Sequence, residues 1–303
     1  MATPKSWIKA ARPRTLPLAL SGILMGCGLA WFYGAINALV SGLAVVTATL
    51  IQVFSNFAND YGDSQKGTDN ERRLGPTRTV QSGEITPAEI KAGMTVIGSL
   101  SLLVGVWLVY EGVWFFSETA FFSFLGLGFL SLTAAYFYTA GKRSYGYVGL
   151  GDLAVFLFFG LLPVLGVFFL NANYLEPEVI LPAISMGFLS TGVLNLNNMR
   201  DIDNDQQSGK MTLAVRIGQR NSRIYHTSLI LWAWVAVAIF TFRQQESAWQ
   251  WLFLLTLPLF LRDLVNIFRI TDARQLDPFL KRLALSTLAF TLLFCLGLIL
   301  SGR

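Results

Sequence analysis

Residues 55–69 read Ser55-Asn56-Phe57-Ala58-Asn59-Asp60-Tyr61-Gly62-Asp63-Ser64-Gln65-Lys66-Gly67-Thr68-Asp69, and they complete a run, 38–58, that contains no charged residue. A hydrocarbon core about 30 Å thick is crossed by roughly 20 apolar residues in a helix. Three aspartates therefore fall where a membrane helix emerges into water. The composition agrees with that placement. Of 303 residues, 53% are hydrophobic and 14% charged, where a soluble domain carries about 25% charge. The mean hydropathy is +0.53. These values exclude a disordered chain and argue against a soluble two-domain enzyme. Two cysteines, Cys27 and Cys295, exclude a disulfide framework and Cys-rich metal sites. A single histidine, His226, excludes multi-histidine metal sites and weakens any Ser–His or Cys–His hydrolase reading.

Working outward, nine stretches are long and apolar enough to span: roughly 15–36, 38–58, 92–110, 119–138, 148–170, 180–199, 224–242, 248–267 and 280–300. The eighth is the weakest, because Arg262 and Asp263 interrupt it, and eight helices is the alternative count. Lysine and arginine test the count, since they collect on the cytoplasmic side. With nine spans, 21 of the 23 basic residues fall on one side, leaving Arg243 and Arg303 on the other. The expected protein is therefore an all-α, polytopic protein of the cytoplasmic (inner) membrane, with its N-terminus inside. The net charge of +5 is then a product of topology, and no nucleic-acid partner is expected. No obligate protein partner is inferred beyond membrane lipid.

All ten aspartates share the basic side, whereas the opposite connections carry only glutamates. If the second helix continues, Asn56, Asp60 and Asp63 share one face at i, i+4 and i+7. The sixth span ends with Asn197, Asp201 and Asp205 at i, i+4 and i+8. Matching ends four helices apart suggest a pseudo-repeat, roughly 15–140 and 148–270, followed by a ninth helix at 280–300. Stacked carboxylates repel unless they are solvated or share a cation. Hard oxygen donors suit Mg²⁺, which takes one or two carboxylates and completes its shell with water and phosphate. The plain alternative is a pair of solvated helix ends. Counter-charge for a diphosphate is available from Arg12 and Arg14, from Arg72, Arg73 and Arg78, and from Lys142 in Tyr138-x-x-x-Lys142. Orientation sorting alone also explains basic residues there. Asp152 enters the fifth span as a substrate-site candidate or as a helix N-cap.

Together these residues resemble the UbiA superfamily of intramembrane prenyltransferases, over nearly the whole chain. The family's first motif is matched by Asn59-Asp60-x-x-Asp63, but position 67, where a third acid is expected, is glycine, and the next acid is Asp69. Gly146-Tyr147-x-Gly149-Leu150-Gly151-Asp152 and the segment 197–218 look like the menaquinone branch. The resemblance implies a nine-helix bundle with Mg²⁺ held by Asp60, Asp63, Asp201 and Asp205, with Asp69 as a further ligand. It implies Lys142 and Arg12 assisting a diphosphate leaving group, and Asn56, Tyr138, Asn197, Arg72, Arg78 and Asp152 at the substrates. It implies transfer from a polyprenyl diphosphate to 1,4-dihydroxy-2-naphthoate, with loss of CO₂ and diphosphate to give demethylmenaquinone. Rival readings are another aromatic acceptor, such as 4-hydroxybenzoate or homogentisate, and a secondary transporter of an anionic solute.

Overall fold

The structure is a computed structural model that describes residues 2–71, 73–141 and 144–302. Nine helices among the described residues are long and apolar enough to cross a bilayer. An amphipathic segment, Pro4–Ala11, precedes α1 (Leu16–Phe32). Then follow α2 (Ala38–Gln65), α3 (Pro87–Val113), α4 (Glu118–Phe137), α5 (Gly151–Ala172), α6 (Ile180–Arg200), α7 (Leu213–Arg243), α8 (Ala248–Arg269) and α9 (Asp277–Leu300). The described residues contain no strand. The eighth span is present; it is a 3₁₀ run over Ala248–Thr256 and α-helical from Leu257 to Arg269.

Local chemistry explains several boundaries. Asn37 caps α2, accepting from the Leu39 and Val40 amides, and Thr86 with Glu89 forms a capping box at α3 behind Pro87. Two ends differ from the sequence reading. α7 begins at Leu213, well before the apolar run at 224, because Thr212 caps it by accepting from the Val215 amide and its polar first turns give no apolar signal; it kinks at Gly218 (φ 76°). The sixth helix does not continue through Asp205. It stops at Arg200, Asp201 is non-helical (φ −102°, ψ 13°), and a separate turn, Ile202–Gln207, carries Asp205.

α2 packs on α3, α6 on α7, and α1 between α5 and α9. The largest core cluster joins α1 and α5–α9, with Phe168, Phe240, Phe253, Phe290 and Phe294 fully buried. α4 leans on α2 and α3 and meets α5 through Phe124 stacked on Phe169. A space is left between α4 and α5. Large apolar side chains such as Leu103, Phe129, Phe242 and Leu255 stand exposed around the perimeter, as a lipid-facing surface requires. α5 contains a π-helical turn at Phe156–Leu161, an irregularity found often beside functional sites.

Candidate active site

The ends of α2 and α6 meet at one end of the bundle, and the site is built there from four segments. The first is the N-terminal turn. The Pro4–Ala11 helix ends at Arg12, whose backbone is left-handed (φ 49°, ψ 68°), a sparsely populated conformation for a residue with a side chain. That turn aims the guanidinium at Asp60, with which it forms an ion pair. Asn56 secures the turn: its Nδ2 donates to the Ala11 carbonyl (2.9 Å) and to Thr15 Oγ1 (3.0 Å).

The second segment is the end of α2. Asp60 is buried and also receives Thr79 Oγ1 (3.1 Å), with Arg78 Nη1 at 3.7 Å. Asp63 accepts from the Tyr147 hydroxyl at 2.8 Å. Between them, Gly62 lies against the turn that follows α4: a Cβ there would fall 2.6 Å from the Thr139 carbonyl carbon and hydroxyl. The third segment is the α2–α3 loop, folded over the acids. Asp69 faces Arg73 (3.3 Å) and Arg78 (3.8 Å), yet neither of its buried oxygens has a hydrogen bond. Burial raises the pKa of Asp69 and lowers that of Arg73 to about 10. Asn204 Nδ2 holds the loop through the Thr68 carbonyl (3.0 Å).

The fourth segment is the end of α6. Arg200 forks onto Asp201 (Nε–Oδ1 2.9 Å, Nη2–Oδ2 2.6 Å), and its Nη2 also donates to Asn197 Oδ1 (2.9 Å). Lys210 Nζ lies 3.5 Å from Asp205. Burial pushes Asp205 up to about 6; Lys210 works against that, and the Asp201 and Asp63 carboxylates add to it. Burial would lower Lys210, but Asp205, Asp63 and Asp201 together raise it. Asp63, Asp201 and Asp205 therefore share one electrostatic neighbourhood.

These segments line the mouth of a cavity of about 440 Å³. Arg12, Asp63, Arg73, Arg78, Asn197, Asp201, Asp205 and Lys210 stand at its polar end. The same cavity continues past Tyr138, Tyr145, Phe158 and Phe159 to Leu108, Val109, Val167 and Leu170 between the apolar helices. Asp152 does not line it. That residue is buried in the first turn of α5, at the helix's second position rather than at its cap, which is Leu150, and keeps Oδ1 without a hydrogen-bond partner. Lys142 and Arg72 lie outside the described residues.

No group of three acids in ligand geometry occurs among the described residues. Mg²⁺ does not need one, given its habit of one or two carboxylates plus phosphate and water. The donor set fits it: Asp205 Oδ2 is buried without a hydrogen-bond partner, beside Asp63 and Asp201 in the same cavity. Reading the sequence did not single out Thr79 or Tyr147, which bond to Asp60 and Asp63, or Asp277, which shares Arg200 with Asp201; Lys210, which faces Asp205, was in view only within the 197–218 segment. Tyr147 was in view only as part of the Gly146–Asp152 segment, and its hydroxyl also meets Thr68 Oγ1 at 2.5 Å.

The model of the UbiA prenyltransferase family matches residues 19–290. The chain is 44% identical to the 1,4-dihydroxy-2-naphthoate octaprenyltransferase of Escherichia coli (strain K12), over 98% of this chain and 96% of the relative. It is 35% identical to the protein of the same name from Mycobacterium tuberculosis, over 96% of each. Among solved structures, the fold is similar to the apo structure of a UbiA homolog from Aeropyrum pernix K1 (TM-score 0.67, 16% identity, 100% of each chain). It is also similar to a UbiA homolog from Archaeoglobus fulgidus bound to GPP and Mg²⁺ (TM-score 0.63, 16% identity, 95% of this chain and 99% of that one). The chain belongs to the UbiA prenyltransferase family and is a multi-pass membrane prenyltransferase.

Proposed function

We propose that the chain transfers a polyprenyl group from a polyprenyl diphosphate to 1,4-dihydroxy-2-naphthoate. The prenyl carbon bonds to the ring carbon that carries the carboxylate, CO₂ and diphosphate leave, and the prenylated naphthoquinol forms, which is the reduced form of demethylmenaquinone. The polar end of the bundle faces the cytoplasm at the inner membrane, with the N-terminus on that side, since 21 of 23 basic residues sort there. The observation that carries this reading is a single cavity joining a carboxylate and guanidinium mouth to an apolar interior. That is the shape of a substrate with a diphosphate head and a hydrocarbon tail. The acceptor is assigned from the names of relatives that match the chain over nearly its full length.

Asp63 and Asp205 would hold Mg²⁺, with Asp60, Asp201 and Asp69 beside them, and the bound ion would supply charge neutralisation for the departing diphosphate. The chain's own cations add to this. Arg12, Arg73, Arg78 and Lys210 point donors into the mouth from the N-terminal turn, the loop and the α6–α7 connection. They are set in place before the diphosphate arrives, so they stabilise charge without reorganising. Lys142 joins this set on its sequence position alone. Tyr138, Tyr145, Phe158 and Phe159 line the cavity beyond the mouth, where aromatic faces favour an allylic cation. The α2–α3 loop, tied down through Asn204 and Thr68, keeps water from that cation.

The test is product mass from purified protein given geranylgeranyl diphosphate with 1,4-dihydroxy-2-naphthoate or 4-hydroxybenzoate, with Mg²⁺ and with EDTA. A prenylated naphthoquinol lacking the carboxylate, formed only with Mg²⁺, is the expected result. Prenylation of 4-hydroxybenzoate alone overturns the acceptor assignment.

A further inference from the structure

Arg200 is the largest fully buried side chain among the described residues, only 1% exposed. Its guanidinium is shared three ways: both oxygens of Asp201, the carboxamide of Asn197, and Asp277 Oδ1 at the start of α9. Asp277 Oδ2 in turn faces Arg14 Nη1 at 3.9 Å, in the turn that carries Arg12. The α2–α3 loop rests on the same group, since a Cβ at Gly75 would fall 2.6 Å from Arg200 Nη2. We infer that Arg200 and Asp277 are positioning residues for the metal–diphosphate end of the site, acting through Asp201.

Two physical arguments carry this. A planar guanidinium offers its donors in a fixed fork, so Arg200 sets the plane of the Asp201 carboxylate. Each carboxylate oxygen keeps a lone pair free for a cation. Charge supplies the second argument. Arg200 against Asp201 alone is a neutral pair that attracts a cation weakly. With Asp277 sharing the guanidinium, part of the Arg200 charge is drawn away and Asp201 keeps part of its field; Arg14, 40% exposed and 3.9 Å from the far Asp277 oxygen, offsets only part of that. α9 supplies none of the acidic residues that line the cavity mouth, yet it sets how strongly one of them draws a cation.

The inference rests on the metal-dependent reading proposed above. It is tested by Mn²⁺ binding to purified, substrate-free protein, read by electron paramagnetic resonance, together with the Mg²⁺ dependence of product formation. Asp277→Asn is expected to weaken Mn²⁺ binding about tenfold, the lower end of what losing a supporting ligand costs. The Mg²⁺ requirement of turnover should rise in step, while the rate at saturating Mg²⁺ recovers. Asp277→Glu restores the carboxylate and most of the affinity. Arg200→Lys loses the fork and approaches a 100-fold loss. Asp277→Asn leaves Arg200 its Asp201 and Asn197 partners, so it stays informative even where Arg200→Lys fails to fold. Unchanged Mn²⁺ affinity in folded Asp277→Asn overturns the inference, whether or not turnover falls. Wild-type protein that binds no Mn²⁺, with or without added inorganic diphosphate, instead defeats the metal-dependent reading, and the inference with it.

Discussion

At the end of α2, Asp60 is met by Arg12, 48 positions upstream, and by Arg78 from the following loop; at the end of α6, Asp201 is met by Arg200, its immediate neighbour. The two ends look alike in sequence, each an asparagine one turn before its first aspartate. The first is completed only when the N-terminal turn and the α2–α3 loop close over it. The second is largely assembled within its own strand of chain and is then pinned by α9. Neutralisation from a distance makes the α2 acids depend on how the N-terminal turn and the loop pack. Neutralisation by a neighbour makes Asp201 depend less on that packing.

Removing one acid from each end should separate these cases. Asp60→Ala and Asp201→Ala are each expected to lower turnover by about two to three orders of magnitude, the range for losing a charge-stabilising group. Their stabilities should diverge. Asp60→Ala leaves buried Arg12 and Arg78 short of a counter-ion, a change that costs about 3–5 kcal/mol. Asp201→Ala leaves Arg200 with Asp277 and Asn197, so the loss should be clearly smaller. Thermal unfolding of the two variants in the same detergent makes the comparison, and equal losses would break it.

Gly62→Ala sharpens the account of the α2 end. The added methyl meets Thr139 at 2.6 Å, and relief of such overpacking costs about 1–3 kcal/mol. Moving the end of α2 away from the turn that follows α4 should also reduce turnover, whereas a methyl at Gly209, where no atom lies within 4 Å but φ is +71°, should bring backbone strain without displacing that end. The α6 end has a pH signature. Asp205 must be ionised to receive a cation, and burial holds its pKa near 6. Mn²⁺ affinity should therefore fall as pH drops below about 6, by up to about tenfold per unit. Stability runs the other way: a carboxyl whose pKa is raised on folding penalises the folded state as pH climbs from about 4 through 6. The substrate-free protein should accordingly gain stability between pH 7 and pH 5 from this group, and Asp205→Asn should flatten that slope. The smallest effect is expected from Tyr147→Phe, which removes the hydroxyl from Asp63 and Thr68. One hydrogen bond is worth about 0.5–1.5 kcal/mol, so turnover should drop only a few-fold.

Much of the architecture was legible because bilayer thickness imposes a length on each helix, and charge sorting then checks the number of crossings. The acids were legible as clusters, since Asn56, Asp60 and Asp63 stay on a helix that does run to Gln65. The continuation of α6 was not. Neighbouring side chains on a helix point about 100° apart and do not face one another. The two-point grip of Arg200 on Asp201 thus goes with a break at Asp201, which a periodicity of 3.6 cannot register. Arg200 and Lys210 were visible as charges that orient a membrane protein and as part of the 197–218 segment, with no carboxylate assigned to either.

The amino-acid sequence by itself determined that nine stretches are long and apolar enough to cross a membrane, and that the aspartates fall on the same side as most of the cations. Both follow from one-dimensional physics: the cost of burying charge in hydrocarbon and the length needed to cross it. Which cation meets which carboxylate was decided by the tertiary structure alone. Ion pairs between Arg12 and Asp60 or Arg200 and Asp277 depend on how α1, α2, α6 and α9 pack. So does the cavity that joins them to the apolar interior, because it is the space that nine packed helices leave unfilled.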